Sequence, residues 1–293
     1  EKETRPPSDA VCHVVLFVWR LFGHGWLYQR ILRQLNREYD DWDTHFSLLG
    51  KDPATEVYAY CEKYGVQSKP WIWSKSAGEY RTKNEWFARK YRAELAPEQN
   101  LGNAAVLMPA TAVASFFSSA REMPRLVKNE RFTLAGCGVP DEHLYAEHPC
   151  ALLYLAPVDY HCYHAPIRGV VSCCQFLGLQ KHSASVKPYI YGHTNILACN
   201  RRAIVVIRSS EPVLTCAMVV IGGITVDSIR LEPTIQPGVV VERGQLLGCF
   251  ARGGSSVALF FDRPVELVEE CRKLHAQGIE FKLDCGVSLA HPV

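Results

Sequence analysis

Hydrophobic residues follow two different periods along this chain. Between about residues 11 and 100, apolar positions recur three or four residues apart, as at Ile31 and Leu35, and polar stretches such as GKDPAT separate them. That period predicts amphipathic helices. After about residue 104, short runs rich in β-branched residues alternate with Gly, Pro and Asn. This second pattern predicts a largely antiparallel β domain.

The two regions define the expected fold. We predict an α+β protein, with a helical amino-terminal region over residues 1–100 and a β-rich core over residues 101–293. No low-complexity linker or internal repeat separates them, so the helices are expected to pack on the sheet. A late helix is predicted over residues 264–276. The predicted strands occupy the runs CALLYLAP, IRGVVSCC, NRRAIVVIRSS, TCAMVVIGGITVDSI, GVVVERGQLLGCF and SVALFF.

The composition narrows the class of function. Apolar residues make up 48% of the 293 residues and the formal net charge is +2. A large core is therefore expected, and the lack of a long basic tract argues against a nucleic-acid partner. The 12 cysteines are scattered among apolar neighbours without a C-x-x-C pair, which argues against zinc. We predict small buried thiols in a reducing compartment, and no metal.

The most apolar segment, AVCHVVLFVWRLFGHGWLYQRILRQL, contains a charge at Arg20. Arg20 leaves two apolar pieces, each shorter than the roughly 20 residues that a spanning helix needs. The segment fits either an amphipathic helix in a membrane interface or a helix packed on the protein core. Because the sequence begins at Glu1 rather than Met, we expect the natural amino terminus, with any targeting segment, to lie upstream.

The stretch CFARGGSSVALFF places two glycines and two serines directly before an apolar strand. Glycine weakens a strand interior, and both residue types are typical of a tight turn between strands. A second interpretation is that the bond between Gly254 and Ser255 is itself reactive. Glycine suits that role because it has no Cβ, so a neighbouring hydroxyl can approach its carbonyl group.

A second group of polar residues lies in LAPVDYHCYHAPIRG. His161 and His164 are three residues apart, a spacing that need not bring both onto one face, so a metal site is poorly supported. Next to Asp159 and Tyr160, and between two prolines, they fit acid–base groups in a rigid loop. A pair of hydrogen-bonded structural histidines is the alternative interpretation.

Taken together, DYHCYHAPIRG and GQLLGCFARGGSSVALFF resemble the phosphatidylserine decarboxylase family, whose members carry a D-Y-H-x-x-H-x-P-x-x-G loop and a G-S-T or G-S-S self-cleavage site. The segments YRTKNEWFARKYR, HTNILACNRRAIVVI and AMVVIGGITVDSI are similar to further stretches of that family. The resemblance covers roughly residues 80 to 290. It implies a β domain of the phosphatidylserine decarboxylase type.

The resemblance also implies a chain that makes its own cofactor. Ser255 would attack the carbonyl group of Gly254, and elimination of the resulting ester would leave a pyruvoyl group at the new amino terminus. His164 is implied to be the base that activates Ser255, since serine is a weak nucleophile unaided. His161 is implied to protonate the carbon that loses CO2 or to orient the substrate carboxylate. The residues expected to support the site or the substrate are Asp159, Tyr160, Thr111 and Ser256.

One position departs from the family pattern. The family usually has an aspartate in an S-P-A-D-G segment, which completes an Asp-His-Ser triad, whereas LMPATAVAS has Thr111 there. In a serine protease, losing the equivalent carboxylate costs about 10⁴-fold in rate. Three interpretations follow. Another acid, either Asp159 or a residue brought in by the fold, orients His164; or the chain is a divergent decarboxylase of a soluble amino acid; or it stays uncleaved as a non-catalytic homologue.

The resemblance finally implies a substrate and a location. We expect a pyruvoyl-dependent decarboxylase that converts phosphatidylserine to phosphatidylethanolamine after cleavage at Gly254–Ser255. Its partners would be a phospholipid or amino-acid substrate and the surface of an intracellular membrane, with a homo-oligomer as the candidate assembly.

Overall fold

The computed structural model describes residues 41–66, 72–99, 101–123, 134–178, 201–222, 229–251 and 255–293. The apolar segment from residue 11 to residue 35 lies outside the described residues, and so does Gly254. Among the described residues, no helix combines the length and the apolar character needed to cross a bilayer.

The described residues contain short helices and many strands. The α-helices are α1 (Pro53–Tyr64), α2 (Lys83–Phe87), α3 (Leu134–Cys137) and α4 (Glu269–Ala276). The first half of the strands is β1 (Val106–Leu107), β2 (Ala112–Phe117), β3 (Cys150–Leu155), β4 (Cys162–His164), β5 (Gly169–Leu177), β6 (Arg202–Ser210) and β7 (Val213–Gly222). The second half is β8 (Ile229–Leu231), β9 (Val240–Val241), β10 (Leu246–Phe250), β11 (Ser255–Phe261), β12 (Val265–Leu267), β13 (Phe281–Leu283) and β14 (Ser288–Pro292).

Local sequence explains where the two amino-terminal helices begin. At α1 the carboxylate of Asp52 accepts a hydrogen bond from the backbone N–H of Thr55 at 2.8 Å, and Pro53 occupies the first turn. At α2 the hydroxyl of Thr82 accepts from the N–H of Glu85 at 3.0 Å. Both arrangements satisfy backbone donors that the first turn of a helix leaves free.

The main sheet has eight strands in the order β13-β2-β3-β11-β7-β6-β5-β9, and its neighbouring strands are antiparallel. Two three-stranded sheets, β1-β14-β12 and β4-β10-β8, accompany it. The α+β prediction is confirmed. The apolar runs that were predicted as strands overlap β3, β5, β6, β7 and β11. In β3, β6, β7 and β11 side chains are buried on both faces of the sheet, which explains the nearly continuous apolar runs.

The prediction of a helix over residues 264–276 is wrong in its first part. Residues Val265–Leu267 form β12, which pairs with β14, and the helix begins only at Glu269. Val265 and Leu267 are buried whereas Glu266 between them is exposed. That alternation has the two-residue period of a strand, and cross-strand pairing outweighs the helical spacing of the later apolar residues.

Two apolar cores cover the two faces of the main sheet. One core contains Val257 and Leu259 of β11, together with Phe87 of α2. The other contains Ala258 and Phe260 of the same strand. A third cluster joins α1 and α2 to β10 and to residues 155–169, the segment with His161 and His164 that is called the histidine loop below. The helices therefore pack against the β structure at this loop.

Gly169, the glycine that ends the histidine motif, allows close contact between β5 and β6. A Cβ at this position would lie 2.9 Å from the backbone N of Ser209 and closer still to the carbonyl group of Arg208. Backbone atoms cannot move away as a flexible side chain would. The spacing between these two strands therefore depends on glycine.

We expect Gly169→Ala to lower the free energy of unfolding by about 1 to 3 kcal/mol, because the added methyl group overpacks a backbone contact. Urea denaturation monitored by circular dichroism measures this change. Gly78→Ala is the control, since within the described residues no atom beyond its sequence neighbours lies within 4 Å of the Cβ that it adds, and it should change stability by no more than about 0.5 kcal/mol. Equal effects of the two substitutions would contradict the packing argument.

Candidate active site

Ser255 is the first residue of β11, at the centre of the main sheet. Its backbone is paired with Leu155 of β3 on one side and with Gly222 of β7 on the other. The side chain is 1% exposed. Its Oγ has no hydrogen-bond partner among the described residues. A buried hydroxyl without a partner is costly, and such groups often serve chemistry rather than stability.

Ser256 is equally buried and its Oγ is also unpartnered among the described residues. Because successive strand residues point to opposite faces, Ser255 shares a face with Val257 and Leu259, whereas Ser256 faces the opposite core. The strand register therefore turns the side chains of Ser255 and Ser256 towards two different cores.

The loop before β4 is held by a turn around Asp159. Its backbone N–H donates to the carbonyl oxygen of Ala156 at 2.8 Å, and its carboxylate accepts from the N–H of Ala156 at 2.8 Å. The second carboxylate oxygen pairs with Nζ of Lys282 at 2.6 Å. Asp159 is thus a structural acid of the loop, engaged with a backbone amide and a lysine.

A buried arginine supports the same loop from the helical side. Arg89, next to α2, is 1% exposed and lies over the rings of Trp73 and Trp86, at 4.6 and 4.8 Å. Its guanidinium donates to the carbonyl oxygens of Val158 and Asp159, both at 3.0 Å. Aromatic faces and carbonyl groups offset the cost of burying the cation.

His161 is neutral in this environment. Its ring is buried 3.9 Å from the ring of Phe87, and Nδ1 lies 2.8 Å from the carbonyl oxygen of Asp159. Because a carbonyl only accepts, Nδ1 carries the proton and Nε2 presents a lone pair. Burial, followed by the positive charge of Arg89, lowers the pKa of His161 from 6.5 to about 3.

His164 has different partners. Its Nδ1 donates to the carbonyl oxygen of Gly244 at 2.8 Å, so Nε2 carries the lone pair. The hydroxyl of Tyr160 lies 3.1 Å from that Nε2. Burial raises the pKa of Tyr160, which keeps the phenol protonated as the donor. The free base atom of His164 is therefore directed at a hydroxyl group in the resting structure.

Glu98 was not anticipated from the sequence, yet its carboxylate faces His164. Oε1 lies 3.4 Å from Nδ1 of His164, and the histidine side chain is only 2% exposed. Glu98 belongs to a short 3-10 helix, Pro97–Gln99. Its sequence, PEQ, has no motif that would have marked it, because the contact joins two segments far apart in the chain.

Thr111 is buried near the same group of residues, where its hydroxyl accepts a hydrogen bond from the N–H of Cys285 at 3.1 Å. Its hydroxyl also lies close enough to Tyr91 to lower the pKa of that phenol, although burial, the larger effect, leaves the pKa raised to about 12. The threonine thus makes structural contacts with its neighbours and brings no charge to the site.

The prediction that the cysteines are all free thiols is wrong for one pair. Cys162 of β4 and Cys249 of β10 form a disulfide. The two residues are directly opposite each other in an antiparallel register, so their side chains lie side by side. This bond ties the strand of His164 to the strand that precedes the glycine–serine stretch.

Burial raises the pKa of the thiols of Cys150 and Cys216. These two residues therefore behave as small apolar residues, as predicted.

The structure brings some of the predicted site residues together and leaves others in separate roles. Tyr160 and His164 are in hydrogen-bond contact, whereas Asp159 contacts Lys282 and Ala156. Across the described ranges, no group of three His, Cys, Asp or Glu side chains has the arrangement of a metal site. The residues that sequence reasoning missed are Glu98 and Arg89.

Comparison with known proteins gives a consistent result. A family model described as phosphatidylserine decarboxylase matches residues 83–285. The chain is 31% identical over 244 residues to a phosphatidylserine decarboxylase proenzyme of Chlamydia muridarum, covering 81% of this chain and 76% of the relative. It is 26% identical over 247 residues to the proenzyme of a Geobacillus species, covering 83% of this chain and 92% of the relative. A proenzyme 2 of Oryza sativa is 29% identical over 220 residues, which cover 72% of this chain and 34% of that relative.

We expect Arg89→Met to raise the pKa of His161 above its value of about 3, because the substitution removes a nearby positive charge. The pKa should stay below 6.5, since burial, the larger cause, remains. NMR titration of the histidine ring, assigned with His161→Ala, measures the change. Since the folded pKa is the lower one, His161 contributes stability that is complete above pH 6.5 and is lost as the pH falls towards 3. Arg89→Met should weaken that dependence.

The control for this experiment is Arg92→Met. Arg92 donates to the carbonyl oxygen of Trp73 at 3.2 Å, so it is a cation in the same region that is not among the groups acting on His161. An unchanged His161 pKa in Arg89→Met, or an equal rise in Arg92→Met, would contradict the assigned cause.

Proposed function

Because this chain belongs to the phosphatidylserine decarboxylase family and is a carboxy-lyase of that kind, we propose that it is a self-processing proenzyme that decarboxylates phosphatidylserine to phosphatidylethanolamine. The observation that carries the proposal is the buried hydroxyl of Ser255 at the start of the central strand, which has no hydrogen-bond partner within the described ranges. The names of its relatives, all phosphatidylserine decarboxylase proenzymes, support both the substrate and the existence of a precursor.

Self-cleavage would begin with proton transfer from Ser255 to Nε2 of His164. The Oγ would bond to the carbonyl carbon of Gly254 while the C–N bond breaks, and the proton would pass from the imidazolium to the amide nitrogen. Loss of the Ser255 α-proton would then break the ester C–O bond and free the carboxylate of Gly254. Water would finally replace the nitrogen of the new terminus, releasing ammonia and leaving a pyruvoyl group derived from Ser255. One water enters and one ammonia leaves, so atoms balance.

Tyr160 would take part in the proton transfer. Its hydroxyl engages the lone pair of His164 in the resting structure, at 3.1 Å. Ser255 must therefore either replace this hydroxyl or pass its proton through it. The raised pKa of Tyr160, caused by burial, favours a phenol that receives one proton as it gives up another.

The residues around Ser255 fit a pyruvoyl group. A buried strand terminus between two neighbouring strands excludes bulk water, and the Ser255 hydroxyl, which bonds to no other described residue, is the group from which the pyruvoyl would form. The pyruvoyl carbonyl supplies an electron sink for the electrons released when CO2 departs. The sink would thus be part of the chain itself.

His161 would transfer the proton that the substrate carbon needs after CO2 leaves. Its Nε2 lone pair, neutral because burial and Arg89 lower the pKa to about 3, can accept a proton from the substrate amine. The resulting imidazolium would be acidic, since the same environment disfavours charge, and would return the proton to the carbon from which CO2 leaves. The low pKa makes His161 a weak base but its imidazolium a strong acid, so its contribution to the rate would lie in delivering the proton to carbon rather than in taking it from the amine.

A lipid substrate implies contact with a membrane surface. We propose a peripheral contact through the apolar segment between residues 11 and 35, which contains Arg20, Arg30 and Arg33 among aromatic residues. Such a segment can lie in the headgroup region of anionic lipid. An assay that offers phosphatidylserine vesicles and free serine side by side separates lipid decarboxylation from decarboxylation of a soluble amino acid.

We expect the unsubstituted chain to yield a large fragment that ends at Gly254 and a small fragment with a pyruvoyl terminus, both detected by intact-mass measurement. Ser255→Ala should remain full-length, because no hydroxyl is left to attack. Ser256→Ala is the matched control, since that serine is as buried but faces the opposite core, and it should still be cleaved. Persistence of the unsubstituted chain at full length after long incubation at neutral pH would overturn the proposal.

The two histidines should separate cleavage from decarboxylation. We expect His164→Ala to block cleavage and His161→Ala to permit cleavage but reduce decarboxylation by about 10² to 10⁴-fold, the usual contribution of a proton-transfer residue. Gel electrophoresis measures the first step, and release of CO2 from phosphatidylserine vesicles the second. Cleavage of His164→Ala at the unsubstituted rate would show that the roles are wrongly assigned.

A further inference from the structure

We infer that Glu98 supplies the carboxylate that orients His164, in place of the aspartate for which Thr111 stands. This inference rests on the proposed self-cleavage. It assigns Glu98 as a positioning residue, since it acts through His164 rather than on the reacting atoms. It also selects one of the interpretations left open by the sequence, in which the fold brings another acid to the histidine.

The carboxylate of Glu98 lies next to Nδ1 of His164, the nitrogen that the orienting acid contacts in a catalytic triad. Oε1 of Glu98 lies 3.4 Å from Nδ1 of His164, the atom whose proton is already directed at the carbonyl oxygen of Gly244. A negative charge at Nδ1–H favours the tautomer with a lone pair on Nε2. It would also stabilise the imidazolium that forms when Nε2 takes the Ser255 proton. Both effects are those that an aspartate provides in a triad.

The charge state of Glu98 agrees with this role. Burial acts to raise its pKa, but the neighbouring His164 ring and nearby backbone amides together hold the pKa below 4.5. The carboxylate is therefore ionised at neutral pH. Its Oε2 is buried and has no hydrogen-bond partner within the described part of the chain. The ionised carboxylate of Glu98 therefore places a negative charge next to Nδ1 of His164.

Two other positions near the histidine loop were candidates for the orienting acid, Asp159 and the position of Thr111, and both have different contacts. Asp159 is paired with Lys282 at 2.6 Å and with the N–H of Ala156 at 2.8 Å. Thr111 accepts from the N–H of Cys285 at 3.1 Å and carries no charge. The contacts of Asp159 and Thr111 are structural, and among the described residues Glu98 is the acid recorded against His164.

Glu98 also lines a cavity of about 730 Å³, together with Arg168, Glu242 and Arg243. The same carboxylate could therefore meet a bound substrate. Self-cleavage distinguishes the two roles, because it takes place before any substrate binds. A residue that only contacted substrate would leave the rate of cleavage unchanged.

The test follows cleavage of freshly synthesised full-length chain by gel electrophoresis over time. We expect Glu98→Gln to slow cleavage by between about 10² and 10⁴-fold, and Glu98→Asp to retain more of the rate than Glu98→Gln. Glu94→Gln is the control, since this exposed acid belongs to the preceding 3-10 helix, Ala93–Leu95, and it should cleave normally. Adding Thr111→Asp to Glu98→Gln should restore cleavage, because the carboxylate returns at the position that the family uses.

A second measurement does not depend on cleavage. In the Ser255→Ala chain, the carboxyl group of Glu98 is titrated by NMR, with and without His164→Phe, which keeps the ring volume and removes the nitrogen atoms. We expect the substitution to raise the pKa of Glu98, because the interaction with the His164 ring that lowers this pKa is lost. Spectra of the two chains must agree away from the site, so a folding defect is recognised.

The outcomes separate this inference from the proposed function. If the unsubstituted chain is cleaved and Glu98→Gln is cleaved equally fast, the orienting role is overturned while the proposed function stands. If no chain is cleaved, the proposed function fails, and the titration then tests the contact between Glu98 and His164 by itself. A raised Glu98 pKa in His164→Phe supports that contact, and an unchanged pKa overturns it. If Glu98→Gln is slow and the double substitution restores the rate, the role of the carboxylate is established.

Discussion

The register of β11 between β3 and β7 is the constraint on which the rest of the site depends. A slip of one residue would exchange the directions of Ser255 and Ser256 and would move Val257, Leu259 and Phe261 out of their core. Both neighbours of the strand are buried and well paired, so the slip would expose or misplace an entire row of apolar side chains. The packing that stabilises the sheet therefore also determines which of the two cores each serine faces.

The histidine loop depends on a second constraint, the buried cation of Arg89. A guanidinium in an apolar cluster is costly unless its donors and its charge are compensated. Here two tryptophan faces and the carbonyl oxygens of Val158 and Asp159 offset part of that cost, while Nε has no hydrogen-bond partner among the described residues. The same contacts fix the backbone next to His161 and place a positive charge beside its ring. Structural support and electrostatic control of the loop thus come from one side chain.

The two histidines illustrate how environment separates two chemically identical groups. His161 is surrounded by an aromatic ring, a carbonyl oxygen and a cation, and its pKa is lowered to about 3 by burial and then by Arg89. His164 faces a carboxylate and a tyrosine hydroxyl instead. Pairs of titratable groups in contrasting surroundings are a common basis for dividing acid–base tasks within one site. In this chain Arg89 acts on His161, whereas Glu98 and Tyr160 face His164.

Sequence by itself determined the α+β class, the positions of the long strands, and the two stretches that contain Ser255 and the histidines. These features depend on local patterns: apolar runs bounded by Gly and Pro, and short motifs. The tertiary structure decided what local pattern cannot express, namely the disulfide between Cys162 and Cys249, the strand at Val265–Leu267, and the contacts that Arg89 and Glu98 make with the histidine loop. Each of these is a contact or pairing between segments distant in sequence, and its partner is selected by packing and strand register rather than by neighbouring residues.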